Sequence, residues 1–310
     1  MSGLHVVDMF SSGAGSWAAS MRNSETLRPD RHTLLFTDVR GEDEDNYRFL
    51  HEAAESIPNA ELVILTEGRT IWDVFKDDRF LGNTRLANCS KFLKQRPARE
   101  WLDDNCDPSS TLVSVGIDWT ETHRLPAVER SYQPFVAVAP LTEPPYLSKD
   151  EILADLRALG IEPPRLYDLG FSHANCGGGC VRAGQGQFAH LLKVMPERFA
   201  EWERNEQELR EHLDKDVSIL RDRTRAGRMK ALGLTEADME VITVGGYWSE
   251  DDEEWREVES VEVVRATGKP LPPVVPLTLR TFRERHQAEP EQTDLFDIGG
   301  CGCFVDEGAA

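Results

Sequence analysis

The chain is short of basic residues and has no long apolar segment. Its 310 residues include 35 Lys and Arg against 55 Asp and Glu, a formal net charge of −20. An acidic surface repels the phosphates of nucleic acids, so the composition favours a small ligand over duplex DNA. No stretch of about 18 apolar residues is present, and no basic segment precedes an apolar one at the start. We therefore expect a soluble, cytoplasmic protein, either a monomer or a homo-oligomer, that does not enter the membrane.

Cysteine is scarce too, but four of the six cysteines lie in two closely spaced pairs. Cys176 and Cys180 belong to N-C-G-G-G-C, and Cys301 and Cys303 belong to G-C-G-C-F. Clustered thiols in a reducing compartment bind metal more often than they form disulfides. Four thiolates suit either zinc or an iron–sulfur cluster such as 4Fe–4S, and we predict one such centre, with His173 as a possible further participant. Free thiols or a disulfide are the alternative.

Alternating strand-like and helical segments predict the fold. Apolar runs cover residues 6–10, 33–38, 62–65, 112–117 and 135–138, with helical segments between them. This alternation predicts an α/β protein with a doubly wound, five-stranded parallel sheet.

The composition changes after Pro140, and the segment Pro144-Pro145 marks a joint. We therefore predict a nucleotide-binding α/β domain over residues 1–143. A mostly helical appendage that carries the cysteine-based metal site is predicted over residues 144–310. Within it, Ser148 and Glu151 form a capping-box pattern that predicts a helix to about Leu159.

Small residues follow the first strand in the loop S-S-G-A-G-S at 11–16. Hydroxyl and backbone N–H groups at a helix N-terminus bind anions, and glycine lets the phosphate approach the backbone. The loop has neither the lysine of a Walker A motif nor the third glycine of G-x-G-x-x-G. We predict that it holds nucleotide phosphates, and an ordinary strand-to-helix turn is the alternative. The residues assigned to this role are Ser11, Ser12, Gly13, Gly15 and Ser16.

The carboxyl ends of the other strands carry further candidates for nucleotide binding. In a doubly wound sheet, ligands bind beyond these ends. Asp38 ends the second strand, Arg69 follows the third, and Gly116 ends the fourth. Arg85 lies in the connection after the third strand. We predict that one ligand contacts these residues together with the serine-glycine loop.

Two groups of residues are candidates for catalysis. Cys89 stands at a predicted helix start beside Lys91, where a lowered thiol pKa would produce a nucleophile or a metal ligand. The alternative is a buried cysteine whose neighbouring cations contact phosphate or sulfate.

The second group, Asp118, His123 and Arg124, follows the fourth strand and suits acid–base work or phosphate contacts. Trp119 between them could stack on a base. The alternative is a helix start capped by Asp118 or Thr120.

Taken together, these landmarks resemble the branch of the adenine nucleotide alpha-hydrolase superfamily that is like 3′-phosphoadenylylsulfate (PAPS) reductase. The superfamily also contains the PP-loop ATP pyrophosphatases, and many members of this branch are phage- or prophage-encoded. The resemblance implies a five-stranded parallel sheet that binds ATP or an adenylyl nucleotide, with the adenosine facing Asp38 and Mg²⁺ as a further candidate cofactor. The segments that carry it are S-S-G-A-G-S at 11–16, L-F-T-D at 35–38, G-N-T-R at 82–85, G-I-D-W at 116–119, C-G-G-G-C at 176–180 and G-C-G-C-F at 300–304.

The resemblance also implies three possible functions. In relatives that modify nucleobases, ATP adenylates a carbonyl oxygen, and sulfur or nitrogen then displaces AMP. In the reductases, a C-terminal cysteine, here Cys303, attacks the sulfonyl group. Ala14 and Gly15 stand where PP-loop pyrophosphatases carry Lys and Asp, which leaves nucleotide binding without turnover as a third hypothesis. Our leading hypothesis is an adenylating or sulfur-transferring modification of a nucleotide or nucleobase.

Overall fold

A five-stranded, all-parallel sheet forms the centre of the molecule, as predicted. The computed structural model describes residues 3–82, 86–249, 254–257 and 260–288. The sheet order is β3-β2-β1-β4-β5, so the chain moves outward from β1 to β3 and then returns to place β4 beside β1. Its strands are β1 (His5–Met9), β2 (Arg31–Asp38), β3 (Ala60–Thr66), β4 (Thr111–Val115) and β5 (Val136–Val138).

Helices cover both faces of this sheet and continue into the C-terminal region. None of the described helices combines the length and the apolar character that a membrane crossing requires. A π-helical turn at Lys91–Gln95 joins the fourth helix to the fifth. The helices are α1 (Ala14–Thr26), α2 (Glu44–Glu55), α3 (Ile71–Asp77), α4 (Asn88–Ser90), α5 (Arg96–Asn105), α6 (Leu125–Tyr132), α7 (Lys149–Ala158), α8 (Arg165–Asp168), α9 (Gln185–Val194), α10 (Pro196–Leu213), α11 (Arg225–Ala231) and α12 (Leu279–Ala288).

The two sheet faces are packed independently. On β2, Leu34 and Phe36 contact a cluster formed with α1, α2 and α7, whereas Leu35 between them contacts a cluster formed with α5 and α6. Successive residues of a strand point to opposite faces of the sheet. The apolar run at 33–38 has no polar alternation because both faces of β2 are buried.

A buried polar network joins the three strands at the centre of the sheet to α1. The Asp8 carboxylate on β1 accepts a hydrogen bond from Asn23 Nδ2 at 2.7 Å, and its other oxygen lies 2.6 Å from His32 Nε2 on β2. Asn23 Nδ2 also donates to Ser114 Oγ on β4 at 2.8 Å. Polar groups removed from water need such partners, so this network specifies how α1 lies across the strands.

The C-terminal region is helical as far as α10, and beyond α10 it contains both short strands and helices. A third apolar cluster packs α9, α10 and α12 against residues that precede position 143, among them Phe75 and Leu93. The division at residues 143 and 144 stays a prediction. The short strands of this region are β6 (Leu220–Asp222), β7 (Met239–Thr243), β8 (Gly246–Ser249), β9 (Glu254–Glu257), β10 (Ser260–Val264), β11 (Lys269–Pro270) and β12 (Val275–Leu277).

Glu206 on α10 is a buried acceptor that anchors two later segments. Its carboxylate oxygens accept hydrogen bonds from Ile219 N at 2.9 Å and from Leu279 N at 2.7 Å, and the residue is 1% exposed. Burial raises the pKa of Glu206 to about 7, although both backbone donors act in the opposite direction. The folded protein therefore retains this proton to a higher pH than the unfolded chain does.

This difference makes stability depend on pH. Between the unfolded pKa of 4.5 and the folded pKa of about 7, only the folded state holds the proton. The contribution of Glu206 to stability is therefore fully present below pH 4.5 and is lost as the pH rises to about 7. We expect the free energy of unfolding of the wild type, relative to Glu206→Gln, to fall by about 2–3 kcal/mol between about pH 5 and about pH 8.

Urea unfolding at a series of pH values measures this difference. Glu197→Gln, which alters an exposed carboxyl group on the same helix, is the matched control and should follow the wild-type profile. A constant difference between the wild type and Glu206→Gln across the range would contradict the prediction.

Candidate functional site

The end of β4 and the first turn of α1 approach each other closely, and glycine makes this possible. A Cβ on Gly116 would lie 2.8 Å from Ser16 Cα and 2.9 Å from Ser16 N. A Cβ on Gly15 would lie 3.2 Å from the Gly116 carbonyl oxygen. Because β1 and β4 are neighbours at the point where the strand order reverses, this contact lies where doubly wound sheets bind ligands.

A cavity of about 130 Å³ opens beside this contact. Its wall combines the serine-glycine loop, the segment after β4, and three segments of the C-terminal region. The lining residues are Met9, Ser11, Gly13, Gly15, Ser16, Val115, Gly116, Ile117, Asp118, Glu121, Arg124, Lys149, Tyr167, His173, Ala174 and Asn175.

Three residues of the α1 N-terminus, Gly13, Gly15 and Ser16, line this cavity, and two backbone N–H groups of this turn have acceptors within the protein. Ala14 N–H donates to the Tyr167 hydroxyl oxygen at 3.1 Å, so an oxygen acceptor already occupies one position at the helix start. Gly13 N–H donates to Ser16 Oγ at 3.2 Å, and the Ser16 hydroxyl donates to the Gly13 carbonyl at 2.8 Å. The first turn of a helix offers its N–H groups no backbone carbonyl acceptor, and the helix dipole favours negative charge there.

Two cationic side chains lie in the cavity wall. Lys149 begins α7 directly after its N-cap Ser148, and the Lys149 ammonium group lies 5.5 Å from the centre of the Tyr167 ring. Burial lowers the pKa of Lys149, against the opposing influence of the Asp118 and Glu121 carboxylates. A bound anion would therefore favour the charged form of this amine.

Arg124 is the second cation, and its side chain is 10% exposed. Its Nη1 donates to Glu121 Oε1 at 2.6 Å, which fixes the guanidinium group in the wall. Asp118 has a structural task as well, since its Oδ1 accepts from Thr120 N at 2.8 Å and caps the short helix Trp119–Arg124. Asp118 therefore caps this helix and also lines the cavity.

The structure brings most of the predicted loop residues together, but it places the adjacent serines Ser11 and Ser12 in different environments. Ser11, Gly13, Gly15, Ser16 and Gly116 line the cavity, as do Asp118 and Arg124 from the predicted catalytic group. Ser12 is fully buried instead, and its hydroxyl donates to the Asn46 carbonyl at 2.9 Å. Ser12 thus ties the loop to α2, while Ser11 faces the cavity.

Several other predicted residues lie away from this cavity. Asp38 Oδ1 accepts from Arg40 N and from the Tyr47 hydroxyl, each at 2.7 Å, and burial together with Asp38 raises the pKa of Tyr47. Arg69 pairs with Glu67 at 2.5 Å and with Asp77 at 2.8 Å. The functional roles given to Asp38 and Arg69 stay predictions.

The predicted nucleophile and its neighbours also lie outside the cavity wall. Cys89 is half-buried and packs against the third apolar cluster, the one that contains Phe75 and Leu93. The Lys91 ammonium group lies 5.7 Å from the centre of the Phe92 ring, and His123 is exposed. Arg85 lies outside the described residues.

The C-G-G-G-C segment lies next to the cavity, because residues 173–175 form part of its wall. Cys176 has a left-handed backbone with φ of 55°, and its N–H donates to the Glu42 carboxylate after β2. Glu42 in turn lies 3.6 Å from Lys94 Nζ in the interior. Cys176 and Cys180 are both partly buried, and no group of three or more metal-ligating side chains occurs within the described ranges.

The other half of the proposed metal centre, Cys301 and Cys303, lies outside the described residues. The described pair supplies two of the four thiolates that zinc or a cluster requires. The four-cysteine centre therefore stays a prediction.

Lys149, Tyr167 and Glu121 line the cavity but were not among the predicted site residues. Lys149 had one local indication, since the confirmed capping box of Ser148 and Glu151 places it at the first position of a helix. Tyr167 had none, because it reaches Ala14 across 153 residues of sequence.

No protein-family model and no curated protein matches the chain. Among solved structures, it is similar to phosphoadenylyl-sulfate (PAPS) reductase from Candida auris in a phosphate complex. The TM-score is 0.38 at 17% sequence identity, over 56% of this chain and 80% of the other. A likeness of this degree assigns neither a family nor a function to the chain.

The different placement of the two loop serines can be tested by substitution. We expect Ser12→Ala to lower the free energy of unfolding by about 1 kcal/mol, because it removes a buried hydrogen bond to the Asn46 carbonyl. Ser11→Ala is the matched control and should change stability by less than about 0.5 kcal/mol, since this side chain lines the cavity. Urea unfolding measures both values, and a larger loss for Ser11→Ala would reverse the assignment.

Proposed function

We propose that the chain binds ATP or a related adenine nucleotide with its phosphates at the N-terminus of α1. One observation carries the proposal: the serine-glycine loop, Lys149 and Arg124 converge on a single cavity at the reversal point of a parallel sheet. Helix N–H groups, hydroxyls and cations are the groups that proteins use to bind phosphate. The cavity wall balances two cations, Lys149 and Arg124, against the carboxylates of Asp118 and Glu121, whereas the whole chain carries a net charge of −20.

Lys149 supplies a charge that the loop itself lacks. PP-loop pyrophosphatases carry a lysine where Ala14 stands here, and Lys149 lines the same cavity from the C-terminal region, where its ammonium group donates to the Ser172 carbonyl. We assign Lys149 the phosphate-neutralising role on this basis. Mg²⁺ bound with the nucleotide would be held by the Asp118 carboxylate and would offset further phosphate charge.

The reaction that we propose is adenylation followed by transfer to a nucleotide or nucleobase acceptor. A carbonyl oxygen of the acceptor forms a bond to the α-phosphorus of ATP, the bond to the bridging oxygen breaks, and pyrophosphate leaves. A sulfur or nitrogen nucleophile then displaces AMP from the activated carbon. Lys149, Arg124 and the α1 N–H groups would stabilise the negative charge that develops on the phosphate oxygens.

Calorimetric titration with ATP tests the binding step. We expect Lys149→Met to weaken ATP binding by about 10-fold to 100-fold, because it removes a charge-assisted contact worth about 1.5–3 kcal/mol. Lys193→Met, which removes an exposed lysine on α9, is the matched control and should bind ATP as the wild type does. Equal affinities for the wild type and Lys149→Met would contradict the assignment of Lys149.

Product analysis separates the three functions. Release of AMP and pyrophosphate with a nucleoside or nucleotide acceptor supports adenylation. Sulfite released from PAPS with a thiol donor would indicate a reductase, and ATP recovered unchanged with every acceptor would indicate binding without turnover. Failure to bind any adenine nucleotide would overturn the proposal as a whole.

We further propose that Cys176, Cys180, Cys301 and Cys303 hold one zinc ion or one iron–sulfur cluster. Anaerobically purified protein should contain either about one zinc or about four irons per chain, with a brown colour in the second case. Cys176→Ser should lower this metal content, and Cys106→Ser, which alters a half-buried cysteine near His5, should leave it unchanged. A metal-free wild type with all its thiols reactive would contradict the proposal.

A further inference from the structure

Two large aromatic side chains stand exposed on segments that contribute residues to the cavity wall. Trp119 is 46% exposed and Tyr146 is 56% exposed. Their ring centres are 5.8 Å apart, and the ring planes are inclined by 50°. We call these two residues the aromatic pair. Folding leaves much of their apolar surface in water, where a planar ligand could cover it.

The aromatic pair is held by the elements that form the cavity. On one side, the Arg22 guanidinium group of α1 donates to the carbonyls of Pro140, Glu143 and Pro145 at 2.6–2.8 Å, which positions the segment that leads to Tyr146. On the other side, Asp118 caps the short helix that begins at Trp119. The two rings therefore have a defined place relative to α1 and β4.

The size of the cavity indicates that a nucleotide must extend beyond it. Its volume of about 130 Å³ is below the roughly 300–1,000 Å³ of pockets that enclose a whole drug-sized ligand. A cavity of this size does not enclose a whole nucleotide, so a nucleotide with its phosphates inside has its base outside. Trp119 directly follows Asp118 of the cavity wall, and Tyr146 precedes Lys149 of the wall by three residues, so both rings are carried by segments that contribute to the wall.

We propose that the aromatic pair stacks the base of the nucleotide whose phosphates occupy the cavity. This inference rests on the proposed function, and it places the base on the β4 side. The family resemblance instead implies an adenosine that faces Asp38, but Asp38 does not line the cavity, and its Oδ1 is engaged by Tyr47 and Arg40. Every base has a π face, so stacking here would tolerate bases other than adenine.

A comparison of ATP with inorganic tripolyphosphate tests the proposal, because tripolyphosphate has phosphates but no base. Stacking on an aromatic side chain contributes about 1–3 kcal/mol per base, so we expect Trp119→Ala to weaken ATP binding by about 5-fold to 150-fold. Binding of tripolyphosphate should be unchanged. Trp119→Phe should retain most of the ATP affinity, and Tyr146→Ala should lower it without affecting tripolyphosphate.

Leu159→Ala is the matched control, since Leu159 is 55% exposed at the end of α7 and does not line the cavity. It should bind both ligands as the wild type does. Circular dichroism melting curves establish that each variant is folded.

The possible outcomes have distinct meanings. Unchanged ATP affinity in Trp119→Ala overturns the inference, and so does an equal loss for both ligands, which would indicate a role in shaping the cavity. A loss confined to ATP in Tyr47→Phe, without one in Trp119→Ala, would place the base beside Asp38 and also overturns it. If the wild type binds neither ligand, the proposed function itself fails.

Discussion

The contact between the end of β4 and the first turn of α1 is the constraint on which the candidate site depends. No side chain fits between Gly116 and the Ser16 backbone, so the two segments meet backbone to backbone and leave the cavity at their edge. The buried network holds the same elements from the other end, because Asn23 on α1 bonds to Asp8 on β1 and to Ser114 on β4, two residues before Gly116. Helix α1 is thus fastened to the sheet at its first turn and again near its end.

The C-terminal region completes the site rather than standing apart from it. The Tyr167 hydroxyl oxygen accepts a hydrogen bond from Ala14 N–H at the start of α1, and Lys149 brings a partly desolvated cation to the cavity wall. The Cys176 N–H bonds to Glu42, which ties the C-G-G-G-C turn to the segment after β2. The cations of the cavity wall act at short range, whereas solvent screens the distant surface charges that make the chain acidic.

Much of the fold was predictable because its causes are local. The alternation of apolar runs and helical segments indicated five parallel strands, which the structure confirms. The site was predictable in part. Residues after β1 and β4 converge on one cavity. Asp38 and Arg69 also lie at strand ends, but the Asp38 carboxylate accepts from Tyr47 and the Arg69 guanidinium group pairs with Glu67. A position at a carboxyl strand end indicates the correct edge of the sheet, but it does not specify which side chains turn toward a ligand.

The sequence by itself determined the alternation of strands and helices as far as β5, the small residues of the loop after β1, and the capping box that begins α7. These features follow from backbone preferences and from contacts between residues a few positions apart. Only the tertiary structure decided that Ser11 faces the cavity while Ser12 is buried, and that Lys149 and Tyr167 belong to its wall. A cavity is the space that is left when distant segments pack against each other. Ala14 and Tyr167 are separated by 153 positions in the sequence, and no local pattern predicts the contact between them.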